Sequence, residues 1–212
     1  MPKYTETWDV QQVLSYLCNM APVKKLSLKL LTFKLVMLLA LVTAQRAQTL
    51  SLLSTKAMKL SQFSCTFYIT QLLKQSTPSN KNTGRTILLR GYPVNRKLCV
   101  ITVLKEYLLR TKSLRKSNLL LVSWQKPHDG VSPSTIGRWL KSVLALANVD
   151  TSVFTGHSTR SASTSAALMA KVSVTQIMKQ AGWSNAQTFA KHYKKTIKKS
   201  KDFQSAVLEL SH

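Results

Sequence analysis

The stretch "FTGHSTRSASTSAALMAKVSVTQIMKQAGWSNAQTFAKHYKK", residues 154–195, decides how the rest of the chain is read. It gathers His157, Arg160, Trp183, His192 and Tyr193 among small, apolar or basic residues, in a chain with only four histidines. A helix beginning near His157 puts it on one face with Arg160, three positions on. Both then sit in the first turn, where free backbone N–H groups favour an anion, and Gly156 lets the backbone come close. A guanidinium clamps two phosphate oxygens, and an imidazole exchanges a proton near neutral pH. A solvated, hydrogen-bonded H-x-x-R pair fits the same spacing. Tyr193 supplies a phenol that can attack phosphorus if nearby cations relieve its developing charge. Lys191, Lys194, Lys195, Lys198 and Lys199 surround it in sequence. Phe189, Tyr193 and Ile197 also recur every four residues, so periodicity alone leaves a buried-stripe role open beside the chemical one.

The charge narrows the class. Thirty-one Lys plus Arg against seven Asp plus Glu give +24 in 212 residues. A surplus of that size repels itself and calls for a polyanion, nucleic acid first and an anionic membrane surface second. The hydrophobic fraction of 44% is that of a chain with a buried core. Cys18, Cys65 and Cys99 are odd in number and widely spaced, which argues against a disulfide framework or zinc site and for three small buried hydrophobes. The N-terminus lacks a signal-peptide pattern, and the longest apolar run, "LVMLLALV" at 35–42, falls well short of the ~20 residues of a membrane span. No membrane, cofactor or metal is expected.

Hydrophobic spacing organises the remainder. "TWDVQQVLSYLCNM" reads as a helix with Thr7 as its cap, and "PVKKLSLKLLTFKLVMLLALVTA" as a central, nearly all-apolar helix. "QRAQTLSLLS" makes a short helix. Between about 56 and 92 the texture turns to Thr, Ile, Phe and Tyr around the turn chemistry of "TPSNKNTG", which predicts an antiparallel hairpin with a third strand. Helical spacing returns from "NRKLCVITVLKEYLLRTKSL", "LLLVS" is a short extended piece, and "SPSTIGRWLKSVLALANV" starts with Ser132 as cap and Pro133 at the first position. Helices are then expected over "HSTRSASTSAALMAK", "SVTQIMKQAG" and "NAQTFAKHYKKTIKKSK". The fold class is mainly α with a small antiparallel sheet (α+β), in one domain over 1–212. Residues 1–20 open it, 56–92 form the hairpin insert and 200–212 the tail. Trp8, Trp124 and Trp139 read as packing residues, and His128 as a loop residue.

Residues 156–195 closely resemble the C-terminal catalytic half of the tyrosine recombinases, or phage-integrase family, above all those of eukaryotic DIRS-like, Ngaro and Crypton mobile elements. The resemblance rests on His157 and Arg160, on Trp183 after Gly182, and on Tyr193 ten residues later. Upstream, "ALVTAQRAQTLSLL" resembles the segment with the family's first arginine, here Arg46. "LLKQSTPSNKNTGRTILL" resembles the hairpin with its catalytic lysine, here Lys74, with Lys81 and Arg85 as alternatives. The resemblance implies DNA strand cleavage and rejoining, with Tyr193 as the nucleophile forming a 3′-phosphotyrosyl link. It implies that Arg46 and Arg160 hold the phosphate and that Lys74 protonates the leaving 5′-oxygen. His157 would accept the phenol proton, and Trp183 would donate its N–H or pack the site. It further implies double-stranded DNA as partner, self-association into a tetrameric synapse on DNA, and no metal. Two departures stand out: Thr49 occupies a position often acidic in the family, and the chain starts where the catalytic domain would, without the family's N-terminal DNA-binding domain. "KKTIKKSK" reads as a nuclear import signal, a phosphate-contacting helix face, or both. The apolar strip of Phe203, Val207, Leu208 and Leu210 predicts a tail held loosely or packed on a second copy. A recombinase-derived, catalytically inert DNA-binding module is the alternative.

Overall fold

Eleven consecutive buried residues, Leu31 to Leu41, form the axis around which the chain is built. The computed structural model describes residues 6–69, 85–183 and 195–198. In order, the elements are β1 (Glu6–Trp8), α1 (Val10–Asn19), α2 (Leu28–Thr43), α3 (Ala47–Ser51), β2 (Met58–Leu60), β3 (Ser64–Ile69) and β4 (Arg85–Arg90). They continue with α4 (Val100–Thr111), α5 (Pro133–Leu146), α6 (Ser158–Met169), α7 (Val174–Ala181) and β5 (Thr196–Lys198). The fold is α+β, mainly helical with a small antiparallel sheet. A helix apolar on every side must be enclosed, and α4, α5 and α6 all pack on α2. None of the described helices is long and apolar enough to cross a membrane.

Local chemistry sets the helix starts. Ser27, Ser132 and Ser173 each accept a backbone N–H from the first turn of α2, α5 and α7, and Pro133 opens α5. The expected start of α1 is corrected: Asp9 caps it by accepting from Gln11 N–H, while Thr7 is buried in strand β1. Strands β2, β3 and β4 pair antiparallel in that order, with Cys65 opposite Leu89 and Phe67 opposite Ile87 facing the core. Thr66, Tyr68, Thr86 and Leu88 alternate to the outer face. The segment 70–84, with Lys74 and Lys81, lies outside the described residues.

The helix expected over "NAQTFAKHYKKTIKKSK" is contradicted at its end. Thr196–Lys198 is a strand, paired in parallel with β1 from Glu6↔Thr196 to Trp8↔Lys198. Helical spacing in Phe189, Tyr193 and Ile197 gave way there to a tertiary partner from the other end of the chain, since β-branched Thr196 and Ile197 suit a ladder. This strand lies in cis; the apolar tail after residue 200 lies outside the described residues. Cys65 and Cys99 are buried as expected, whereas Cys18 is only half-buried.

One residue inside the core is charged by nature. Lys34 is fully buried in α2, and its Nζ donates to the carbonyls of Leu17 (2.8 Å) and Met20 (2.6 Å). These are carbonyls at the C-terminal end of α1, so the lysine closes one helix from within another. Burial pulls its pKa down to about 8, with Cys18 opposing and Lys97 assisting. The three tryptophans behave as packing residues: Trp8 and Trp139 are buried, and Trp124 stacks on Trp139 at 4.6 Å and meets Phe33 edge-on at 5.3 Å.

Candidate functional site

Arg46 hangs on the link between α2 and α3. Helix α2 ends as Ala44 turns left-handed at φ 51°, and Arg46 takes an extended conformation as the first residue before α3. Its neighbours Gln45 and Thr49 are each 5% exposed, so the link is embedded while the arginine side chain stays half-buried. Thr49 is buried within α3.

His157 and Arg160 come from the first turn of α6. His157 stands at the N-cap with helical dihedrals and makes no side-chain cap, which leaves its ring for other work. The preceding Gly156 is needed for a close approach, but to α5: a Cβ there would meet the Gly137 carbonyl oxygen at 2.5 Å. The approach expected toward a phosphate is thus an approach to a helix. Trp8 Nε1 donates to Ser158 Oγ at 2.9 Å, tying β1 to the start of α6. Sequence gives no hint of that bond, because the partners are 150 residues apart.

Arg160 is 3% exposed and held on two sides. Its Nη2 donates to the Ala181 carbonyl at 2.9 Å, and its guanidinium carbon lies 4.3 Å from the Trp183 ring centroid. Trp183 reaches that position because Gly182 is left-handed at φ 70° and ends α7 abruptly. Its ring packs with Ala44, Ile177 and Ala181, which joins the Arg46 link to the Arg160 pocket through apolar contact.

Charge converges on His157. Its pKa is lowered from the ordinary 6.5, first by desolvation and then by the positive charges of Arg46, Arg160 and Lys195. His157 is exposed, so an imidazole whose protonation is disfavoured by three neighbouring positive charges remains open to solvent. Lys195 is placed by its backbone N–H, which donates to Ser165 Oγ of α6 at 3.2 Å. Desolvation lowers the pKa of its own ammonium. Four residues expected at the site, Arg46, His157, Arg160 and Trp183, therefore come together from three separate parts of the chain. Lys195, expected only as a DNA contact, joins them. Lys74, Tyr193, Lys191, Lys194 and Lys199 lie outside the described residues, and Lys198 is the last residue of β5. An imidazole of lowered pKa beside clustered cations suits an anion whose reaction releases a proton.

The Phage integrase family model matches residues 4–199. No curated protein matches the sequence. Among solved structures, XerA recombinase is 14% identical, with a TM-score of 0.66 over 100% of this chain and 64% of its own. XerH site-specific recombinase, in a post-cleavage complex with palindromic difH substrate, is 14% identical, with a TM-score of 0.64 over 87% of this chain and 48% of its own. A lambda integrase tetramer bound to a Holliday junction is 17% identical, with a TM-score of 0.54 over 93% and 50% of the two chains. The isolated lambda integrase catalytic core, 17% identical, gives 0.51 over 84% of this chain and 91% of its own. The chain thus spans about half to two-thirds of the longer relatives, and its fold is that of a tyrosine recombinase catalytic domain. With a matched region that runs through nearly all of the described elements, the chain belongs to the phage integrase family.

Proposed function

We propose that this chain cuts and rejoins double-stranded DNA through a 3′-phosphotyrosyl intermediate. The observation that carries the reading is the convergence of Arg46, Arg160 and Lys195 on His157, whose pKa they lower, with Trp183 over the Arg160 guanidinium. Tyr193 Oη attacks the scissile phosphorus, and its proton passes to His157. The P–O5′ bond breaks, and Lys74 supplies the proton that makes the leaving oxygen a 5′-hydroxyl. Rejoining runs the same transfers in reverse with a new 5′-hydroxyl as nucleophile. Arg46 and Arg160 neutralise the charge that builds on the non-bridging oxygens, Arg160 being pre-set by the Ala181 carbonyl. The biological setting we infer is recombination or integration of a mobile element of the DIRS-like, Ngaro or Crypton kind, in the nucleus, by copies assembled into a tetramer on DNA. The resemblance of residues 156–195 supports the first part, the basic "KKTIKKSK" the second, and the DNA-bound tetramer of lambda integrase the third.

The test uses a randomised pool of duplexes, each nicked so that the 5′-hydroxyl strand diffuses away and the adduct is trapped. The wild-type chain retains DNA through denaturing gel electrophoresis, and Tyr193→Phe loses that retention while leaving non-covalent binding within about twofold, since only a hydroxyl is removed. Tyr107 is no rival nucleophile: it is fully buried and its hydroxyl is bonded to the Val122 backbone. Retention that survives Tyr193→Phe and disappears with Tyr68→Phe would assign the nucleophile to the sheet instead. No retention by the wild type, with non-covalent binding intact, would favour the inert DNA-binding module.

A further inference from the structure

Arg46 is useful only if its guanidinium stays at a fixed distance from that of Arg160, yet it rides on a three-residue link between two helices. The residue beside it shows how the distance is set. Gln45 is 5% exposed, and its Nε2 donates to the Gln180 carbonyl at 2.7 Å and to the Thr43 carbonyl at 3.1 Å. Gln180 answers: its own Nε2 donates to the Val42 carbonyl at 3.1 Å. The two glutamines therefore clasp the end of α2 to the last turn of α7.

That last turn is also where Arg160 is anchored. The Gln180 carbonyl takes Gln45, and the next carbonyl, that of Ala181, takes Arg160 at 2.9 Å. Adjacent peptide groups of one helical turn thus hold the Arg46 link on one side and Arg160 on the other. Below them Ala44, Ala181 and Trp183 belong to one buried apolar cluster, which joins the same two helix ends. Gln45 Oε1, meanwhile, is buried and accepts no hydrogen bond among the described residues. The two bonds from Nε2 satisfy carbonyls at the ends of α2 and α7, and the unpartnered Oε1 offsets part of that gain. What the glutamine secures above all is the position of one helix end against the other.

We propose that Gln45 is a positioning residue that fixes Arg46 against Arg160 and His157, with Gln180 as its reciprocal partner. The proposal rests on the recombinase reading for what the positioning achieves, but the geometry is tested without it. His157 reports the position of Arg46 directly, because the Arg46 charge helps to lower its pKa.

The experiment follows the His157 ring protons by NMR through a pH titration of the full chain, assigned by loss of the signal in His157→Asn. In Arg46→Ala the His157 pKa rises. Gln45→Met raises it in the same direction, and Gln45→Met combined with Arg46→Ala titrates like Arg46→Ala alone. Gln180→Met, at an exposed position, gives a smaller rise of the same sign and covers the case in which Gln45→Met fails to fold. In the trapped-adduct assay, Gln45→Met slows adduct formation about ten- to a hundredfold at saturating duplex with affinity within about twofold, the signature of misplaced but still bound groups. A His157 titration unmoved in both glutamine variants overturns the proposal, whatever the adduct assay gives. A combined variant that rises well beyond Arg46→Ala overturns it too, since Gln45 would then act on His157 by another route. If the titrations shift as stated but the wild type forms no adduct, the positioning stands and the recombinase reading falls.

Discussion

His157 is where charge and burial decide function. Protonating it puts a fourth positive charge beside Arg46, Arg160 and Lys195 in a partly desolvated place, so its folded pKa lies below the ordinary 6.5. Its folded value is therefore lower than its unfolded one. The stability it contributes is complete above pH 6.5 and is lost as the pH falls through the folded value. The same group is the proton acceptor in the proposed reaction, so at subsaturating duplex, where the rate reports the free protein, there is an acid limb with its midpoint below 6.5. Single-turnover adduct formation measured from pH 4.5 to 8 shows that limb, and His157→Asn removes it. A midpoint at or above pH 7 would mean that His157 is stabilised as the cation, against the charges around it.

Elements meet at two positions where one residue type is required. Gly156 lets the turn before α6 lie directly on α5, with 2.5 Å between a would-be Cβ and the Gly137 carbonyl oxygen. Backbone cannot retreat as a flexible side-chain tip does, so Gly156→Ala costs about 1–3 kcal/mol through overpacking. Because His157 is the next residue, the same change moves the site. Urea unfolding and the His157 titration check the two effects together. The second position is Lys34, whose Nζ closes the α1 carbonyls from the centre of α2. Lys34→Met leaves those carbonyls without their donor and destabilises by about 1–3 kcal/mol near pH 7. The pH dependence has a definite sign. With a folded pKa of about 8 against an ordinary 10.5, the unfolded state binds the extra proton between those values, so stability rises with pH through that window. Wild type should gain on Lys34→Met by up to about 1.4 kcal/mol per pH unit there, measured by denaturant unfolding at pH 7.5 and 9.5. A gap independent of pH would mean that the two carbonyl bonds offset the desolvation of the ammonium.

At the scale of the whole molecule the +24 charge governs encounter with DNA. Counterion release dominates binding of a chain so basic, and about six phosphate contacts lower affinity roughly a thousandfold between 50 and 200 mM salt. Fluorescence-anisotropy titrations across that range should give a log–log slope steeper than about −3 on any duplex. A shallower slope would indicate a small local contact. The parallel pairing of β1 with β5 joins the two ends of the described chain next to α6, so the segment carrying Tyr193 is bounded by Trp183 on Arg160 and by Lys195 on Ser165.

Periodicity, caps and residue chemistry determine much of this protein locally. Leu31–Leu41 had to be central because that stretch is apolar nearly all round, and Ser132 with Pro133 marked the start of α5. Helix α2, by contrast, begins only at Leu28, behind the Ser27 cap and not at Pro22, where the expected helix opened. The order of Arg46, His157, Arg160 and Trp183 was legible because the spacing of a motif survives in sequence. Long-range pairing was not. Thr196 and Ile197 read as helical until β1, nearly the whole chain away, offers a ladder, and Thr7 resembles a cap until that ladder buries it. The Gln45–Gln180 clasp and the bond from Trp8 to Ser158 join residues more than 130 positions apart, and such bonds leave no local pattern. Local sequence specifies elements through short-range backbone geometry. Only the packed structure decides which of their ends meet, and the charge that lowers the His157 pKa arises from that meeting.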